Sequence, residues 1–193
     1  HDLVANLPEA DLAVCGPLAR SADDLKLALS IMSGPAEREA LGWSLNLPAA
    51  DITTLKDFRV AVWATDPLAP VAKEVEDRSM QVGAMLERLG AQVSYDARPN
   101  FDLDAAVRNY QTLLQSVMTA AWDNQAVAKM QTKVAALEPN DLSLDAVNAR
   151  AAVLSHRDWI RSNGRREKLR RAWADFFKDW DILICPQMAT AAF

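Results

Sequence analysis

Cysteine and histidine are scarce in this chain. It holds two cysteines, Cys15 and Cys185, and two histidines, His1 and His156. The cysteines lie far apart and match no metal-ligand spacing, so neither a disulfide framework nor a metal or cofactor site is implied, and a reduced, cytoplasmic setting is the natural expectation. Six glycines in 193 residues fall below the ~7% of ordinary usage. The glycine-dependent motifs are missing with them: the phosphate loop G-x-x-x-x-G-K-[ST], the dinucleotide fingerprint G-x-G-x-x-G and the nucleophile elbow G-x-S-x-G. Apolar stretches are broken by charge well short of the ~20 residues a membrane-crossing helix needs, so no membrane span is expected. Net charge is −5, which leaves no global field to draw nucleic acid or anionic lipid to the surface. No segment repeats at a fixed period, and solenoid and propeller architectures are set aside.

What is present reads as an ordinary globular chain, half of it hydrophobic and a quarter charged, large enough to hold one domain or part of one. A short apolar run over 11–15 ends at Gly16-Pro17, a pair that stops a strand. Ser21, with Asp24 three residues on, is a helix N-cap signal. Leu25, Ala28, Leu29 and Met32 follow at helical spacing and place one apolar stripe against a core before Gly34-Pro35 ends the helix. Residues 35–54 show no period and are expected to cross the surface irregularly, with Trp43, Leu45 and Leu47 tucked inward. The β-rich run 58–63 predicts a buried strand. A helix from Val71 to Leu89 follows, with Gly90 where a left-handed C-terminal cap belongs, and then a strand over 92–95. Strand, helix and strand in ~40 residues make a right-handed parallel βαβ unit the default. Beyond it, 102–133 predicts one long helix or two joined near Asn124. Residues 142–180 predict a second helical stretch with a kink at Gly164, and 181–186 a last short strand.

Few side chains in this pattern suggest self-contained chemistry. His156 lies on a predicted helix with no neighbour placed to orient it, so a serine-histidine-acid triad is not expected. Asp23, Asp24, Asp102, Asp104, Asp179 and Asp181 fall at helix starts and strand boundaries, where capping and solvation account for them. Cys185 ends a predicted strand, a place where ligands gather in open α/β sheets, but burial as a small hydrophobe is the favoured reading. Arg157, Arg161, Arg165, Arg166, Lys168, Arg170 and Arg171, interleaved with Trp159 and Trp173, could meet phosphates and bases. Their spacing against Asp158, Glu167 and Asp175 reads instead as a salt-bridged exposed face over an aromatic stripe.

Three landmarks in order carry a resemblance. Gly16-Pro17-Leu18-Ala19-Arg20-Ser21 opens a helix that ends at Gly34-Pro35. The strand at 58–63 leads through a helix to Leu86-Glu87-Arg88-Leu89-Gly90-Ala91-Gln92-Val93. Near the end stands Asp179-Trp180-Asp181-Ile182-Leu183-Ile184-Cys185-Pro186. Together they resemble the amidase signature family. The resemblance implies an α/β fold, part of an α/β/α domain with a mixed β-sheet flanked by helices. It also implies hydrolysis of a small-molecule amide by a serine nucleophile, with no cofactor or metal. The family's Ser-Ser-Lys triad belongs to an upstream Gly/Ser-rich run that cannot be quoted from this sequence, so no catalytic residue is carried over. Residues 1–193 are therefore expected to form the C-terminal portion of one amidase domain, inactive alone, the chain opening abruptly at His1. The rival readings are the amidotransferase A-type component of the same family and a non-catalytic α/β binding module. Arg20, in the turn, is expected to hold loop carbonyls or a carboxylate. The association state is open, a homodimer among the options, and no nucleic acid is expected to bind directly.

Overall fold

A computed structural model describes residues 12–14, 16–35, 39–48 and 54–191. The chain divides into two compact units, His1–Asp51 and Ile52–Phe193. The predicted strand at 11–15 lies partly outside the described residues.

In the first unit, helix α1 (Ala22–Met32) starts as its sequence dictates. Ser21 Oγ accepts the Asp24 amide at 3.1 Å, and Asp23 and Asp24 sit in the first turn, where the helix dipole favours negative charge. Gly34, at φ 146°, follows its end. The apolar stripe is not covered, contrary to expectation: Leu25, Leu29 and Met32 remain 39, 52 and 53% exposed. Trp43, Leu45 and Leu47 are likewise exposed rather than tucked inward, and residues 39–43 close a turn through the Glu39 carbonyl.

The second unit is built on a three-stranded sheet ordered β2-β1-β3, with β1 (Arg59–Val62) between β2 (Gln92–Ser94) and β3 (Ile182–Ile184). Both pairings are parallel, with Val60 opposite Val93 on one side and Ile182 on the other. A central parallel strand is covered on both faces, which is why Val60, Ala61 and Val62 run apolar without alternation and are all buried. Helix α2 (Lys73–Arg88) makes the crossover from β1 to β2, the parallel βαβ unit the pattern predicts. It lies so close to the sheet that a β-carbon on Gly83 would stand 3.0 Å from both Val62 Cγ2 and Tyr95 Cε1. Gly90, at φ 97°, takes the left-handed position after the helix that a side chain would strain. Val60, Val62, Ala64 and Ala91 form the core of this layer, with Phe58, Leu86, Val93, Tyr95 and Ile184 against them.

At the opening edge of the sheet, Asp181 and Arg59 tie the first residue of β1 to the approach of β3. Asp181 accepts the Arg59 amide at 2.8 Å and its guanidinium at 2.7 and 3.1 Å, while the Asp181 amide donates to the Arg59 carbonyl at 2.9 Å. The side-chain hydrogen bond from Arg59, then its backbone one, holds the Asp181 carboxyl below the ordinary carboxylate range.

The remaining helices are α3 (Leu103–Met118), α4 (Asn124–Ala135), α5 (Leu144–Ala152) and α6 (His156–Asp179). Helix α3 packs on α5 and α6, and α4 packs on α5. Leu113, Ala146, Val147, Ala149 and Ala151 are the buried apolar residues of these elements, with Phe176 beside them on α6. The predicted 102–133 helix resolves into two, each opened by an aspartate: Asp102 accepts from Ala105 and Asp123 from Ala126. The second predicted stretch also divides, but not at Gly164. Helix α6 runs unbroken through that residue, and the break falls at residues 153–155. Ser155 is the reason. Its Oγ accepts the Asp158 amide at 3.1 Å and donates to the Asp158 carboxylate at 2.6 Å, a side-chain cap that starts a new helix.

Candidate functional site

The carboxyl ends of β1 and β3 open into a cleft of about 320 Å³, the place where parallel sheets generally receive ligands. One wall comes from the segment after β1, Trp63, Thr65, Asp66 and Val71. The facing wall comes from the segment after β3, Cys185 to Ala189, with Leu103 at the start of α3 completing it. The pairing of the strands continues into this wall, since the Trp63 amide donates to the Ile184 carbonyl at 2.8 Å. The Ala72 amide donates to the Ala189 carbonyl at 2.7 Å, anchoring the far end of the second segment to the start of α2. Two backbone bonds thus fix together two loops that are far apart in the sequence.

The Trp63 indole is held by two side chains. Its indole Nε1 donates to Asp66 Oδ2 at 3.2 Å. The other Asp66 oxygen accepts the Leu68 amide at 2.9 Å. The Arg98 guanidinium lies 4.8 Å from the ring centroid and itself donates to the carbonyls of Val62, Tyr95 and Ala97. A locked indole at the edge of a cleft otherwise made by Pro70, Val71, Leu103, Pro186 and Met188 is a rigid apolar surface suited to positioning a substrate body.

The same lining is poor in chemistry. Thr65 and Cys185 are its hydroxyl and thiol, but no described lysine or histidine lines the cleft with them, and Asp66 already accepts two hydrogen bonds. A nucleophile needs a base within reach, and the described lining offers Thr65 and Cys185 neither a lysine nor a histidine. Among the described residues no group of three or more His, Cys, Asp and Glu side chains could hold a metal ion.

The other residues singled out in the sequence fall into place individually. Cys185 is exposed at the cleft and borders a second depression lined by Glu74, Arg78 and Ser79. The expectation of burial fails because β3 ends at Ile184 and the following Pro186 turns the chain out of the sheet. His156 begins α6, exposed, with its ring 6.4 Å from Trp159 and nearly parallel to it. Asp102 caps α3 and Asp23 and Asp24 sit in the first turn of α1, as the capping reading holds, whereas Asp104 pairs with Arg108, and Asp181 departs from that reading by joining β1 to β3 through Arg59. Along α6 the pairs include Asp158 with Arg161, Glu167 with Arg170 and Asp175 with Lys178, each at i, i+3. Trp173 packs on Phe101, Phe176 and Phe177, so the aromatic stripe is a packing surface. Arg20 is exposed and makes no hydrogen bond or ion pair among the described residues; its expected loop contacts are not found there. Trp63 and Asp66 went unrecognised as site residues, although a tryptophan closing a strand just before Asp66-Pro67 was the available signal.

With the geometry in hand, comparison with known proteins decides the family. The family model described as Amidase matches residues 6–193. The chain belongs to the amidase family. Indoleacetamide hydrolase of Bradyrhizobium japonicum is 24% identical over 173 residues, covering 89% of this amidase chain and 35% of that protein. The A component of glutamyl-tRNA(Gln) amidotransferase from Saccharolobus solfataricus is 25% identical over 189 residues, 90% of this chain and 39% of that one. An indoleacetamide hydrolase of Bradyrhizobium diazoefficiens is 25% identical over 171 residues, 89% and 31% respectively. The chain thus spans between 31 and 39% of the length of these relatives. No solved structure matches it significantly. Among the described residues no helix is long and apolar enough to cross a membrane.

Proposed function

We propose that these residues are the C-terminal portion of an amidase domain that hydrolyses a small carboxamide to the acid and ammonia or an amine. The cleft at the ends of β1 and β3 is one wall of its substrate site. The observation that carries this reading is that two of the three family landmarks, the 58–63 strand and the 179–186 strand, converge to build that cleft. In this reading a serine acts as nucleophile, and a lysine removes its proton through a second serine. All three belong to polypeptide outside the present sequence, which supplies no comparable set. Trp63, Val71 and Met188 hold the body of the amide so that its carbonyl faces the serine; correct placement of this kind is worth several kcal/mol of the barrier.

The test is steady-state hydrolysis of a panel of amides by an enzyme containing both halves. Trp63→Ala and Met188→Ala should raise KM for amides with large apolar bodies several-fold while leaving acetamide nearly unaffected. Unchanged KM across the panel would remove the cleft from the substrate site. A second reading, an amidotransferase component that releases ammonia from glutamine for transfer, is favoured by one observation, the relative of that description aligned over 189 residues. Ammonia transfer from glutamine that requires partner proteins would select it over free amide hydrolysis.

A further inference from the structure

A groove of about 540 Å³ lies between α3, α5 and α6; of these elements only α3, through Leu103, also reaches the cleft. It has the size of a small-molecule site. Four guanidiniums line it, those of Arg108, Arg150, Arg161 and Arg165, against a single carboxylate, Asp158. Two of the four are answered within their own helices, Arg108 by Asp104 and Arg161 by Asp158 at 2.9 Å. The other two give their hydrogen bonds to neutral groups. Arg150 donates to the carbonyls of Asp141 and Glu138; the Asp141 carboxylate accepts the Ser143 amide at 2.8 Å, the main reason its carboxyl sits below the ordinary range, and the charge of nearby Arg150 adds a smaller contribution. Arg165 donates through Nε to Asn109 Oδ1 at 2.9 Å and through Nη2 to Ser162 Oγ at 2.7 Å.

Carbonyl and hydroxyl partners orient a guanidinium without cancelling its charge, and Arg165 keeps the donors of its third nitrogen. The orientation is firm. Asn109 and Ser162 are 5 and 1% exposed, and Asn109 Nδ2 is committed to the Ser162 carbonyl at 3.1 Å, which turns Oδ1 toward Arg165. A buried pair, Asn109 on α3 and Ser162 on α6, thus fixes one cation at the groove, and the loop carbonyls before α5 fix another. Between them the lining is apolar, with Val147, Ala151 and Leu154.

We propose that this groove binds a small amphipathic anion. Its carboxylate or phosphate head is met by Arg150 and Arg165, the two arginines held by neutral groups, and its apolar body lies on Val147, Ala151 and Leu154. The site is independent of the amide-hydrolysing reading and would stand if that reading fell.

The experiment is titration of the full chain, followed by NMR of the Arg165 Nε and Asn109 side-chain signals and by calorimetry. The probes are octanoate, octyl phosphate, inorganic phosphate, 1-octanol and octylammonium. The two octyl anions should move both signals and bind at least about tenfold tighter than octanol or octylammonium, the worth of one charge-assisted hydrogen bond set. Whichever anion binds tighter identifies the head group. Arg165→Gln should weaken the preferred anion about tenfold. Arg108→Gln removes a lining charge without touching the buried Asn109 and Ser162 and should weaken it by a smaller factor with the fold intact by circular dichroism. Octanol binding as tightly as octanoate, inorganic phosphate as tightly as octyl phosphate, signals that no probe moves, or equal affinity in both variants would each overturn the proposal.

Discussion

Gly83→Ala puts the packing of α2 on β1 to a quantitative test. In mid-helix the change removes the entropic penalty of glycine and should stabilise by about 1 kcal/mol if the helix stood free. Here the new methyl would stand 3.0 Å from Val62 Cγ2 and Tyr95 Cε1 and 3.1 Å from Tyr95 Oη. Overpacking of this kind costs about 1–3 kcal/mol, so the net effect should be a loss of about 0–2 kcal/mol. For a chain of this size that is a fall in Tm of up to about 8 °C. Val62 is 1% exposed, and Val62→Ala alone should cost about 2 kcal/mol or more through lost burial and a cavity. In the double variant the added methyl takes up space that the valine gave up, so the two losses should fall short of additive by about 1 kcal/mol. Relief stays partial because the tyrosine ring is untouched. Urea unfolding of the four proteins, read by circular dichroism, measures the cycle. A Gly83→Ala protein stabilised by the full helix-propensity gain, with no coupling to Val62→Ala, would refute the close approach and with it the placement of the β1 end.

Other outcomes follow from single sites. Asp181 titrates below its unfolded value, so its bonds to Arg59 contribute stability above about pH 4, the ordinary carboxylate value, and that contribution is lost as pH falls through the lower folded-state value. Asp181→Asn should therefore shift Tm most at neutral pH and progressively less as pH falls below about 4; a shift that does not shrink with falling pH would contradict the pairing. Gly90→Ala should destabilise by about 1 kcal/mol or more, since φ is 97° and Lys56 Cβ stands 3.2 Å from the added carbon. A neutral result in urea unfolding would place the cap elsewhere. Ser155→Ala should cost about 1 kcal/mol and increase amide exchange at the start of α6, whereas Gly164→Ala, with open space where the β-carbon would stand, should stabilise the same helix.

The sheet and its crossover were legible because each signal was local and agreed with its neighbours. Residues 58–63 are β-rich with no alternation, and Leu89-Gly90-Ala91 stops a helix and starts a strand within three residues. The third strand's position beside β1 was not written locally; it depends on Asp181 meeting Arg59 across 122 positions. The helical half was read too coarsely. Ser155 carries a cap signal as clear as that of Ser21, but Gly164 drew the break to itself, although one helical glycine costs only about 1 kcal/mol and Ser155 starts a helix outright. Exposure was the least legible property. Leu25, Leu29, Trp43 and Leu47 are apolar and periodic or clustered, yet periodicity says which residues share a face and not what covers it. The same limit hid the cleft, whose walls meet only through tertiary pairing of β1 and β3.

The central claim, that this chain is a wall of an amidase site whose bond-breaking residues lie elsewhere, is tested most directly by ammonia release from the purified 193-residue chain. Its mass should be confirmed at 21.2 kDa, and the amide panel should include an aryl and an aliphatic carboxamide. The account predicts no turnover above background for any amide. Sustained release that disappears when Thr65 or Cys185 is replaced by alanine would contradict it.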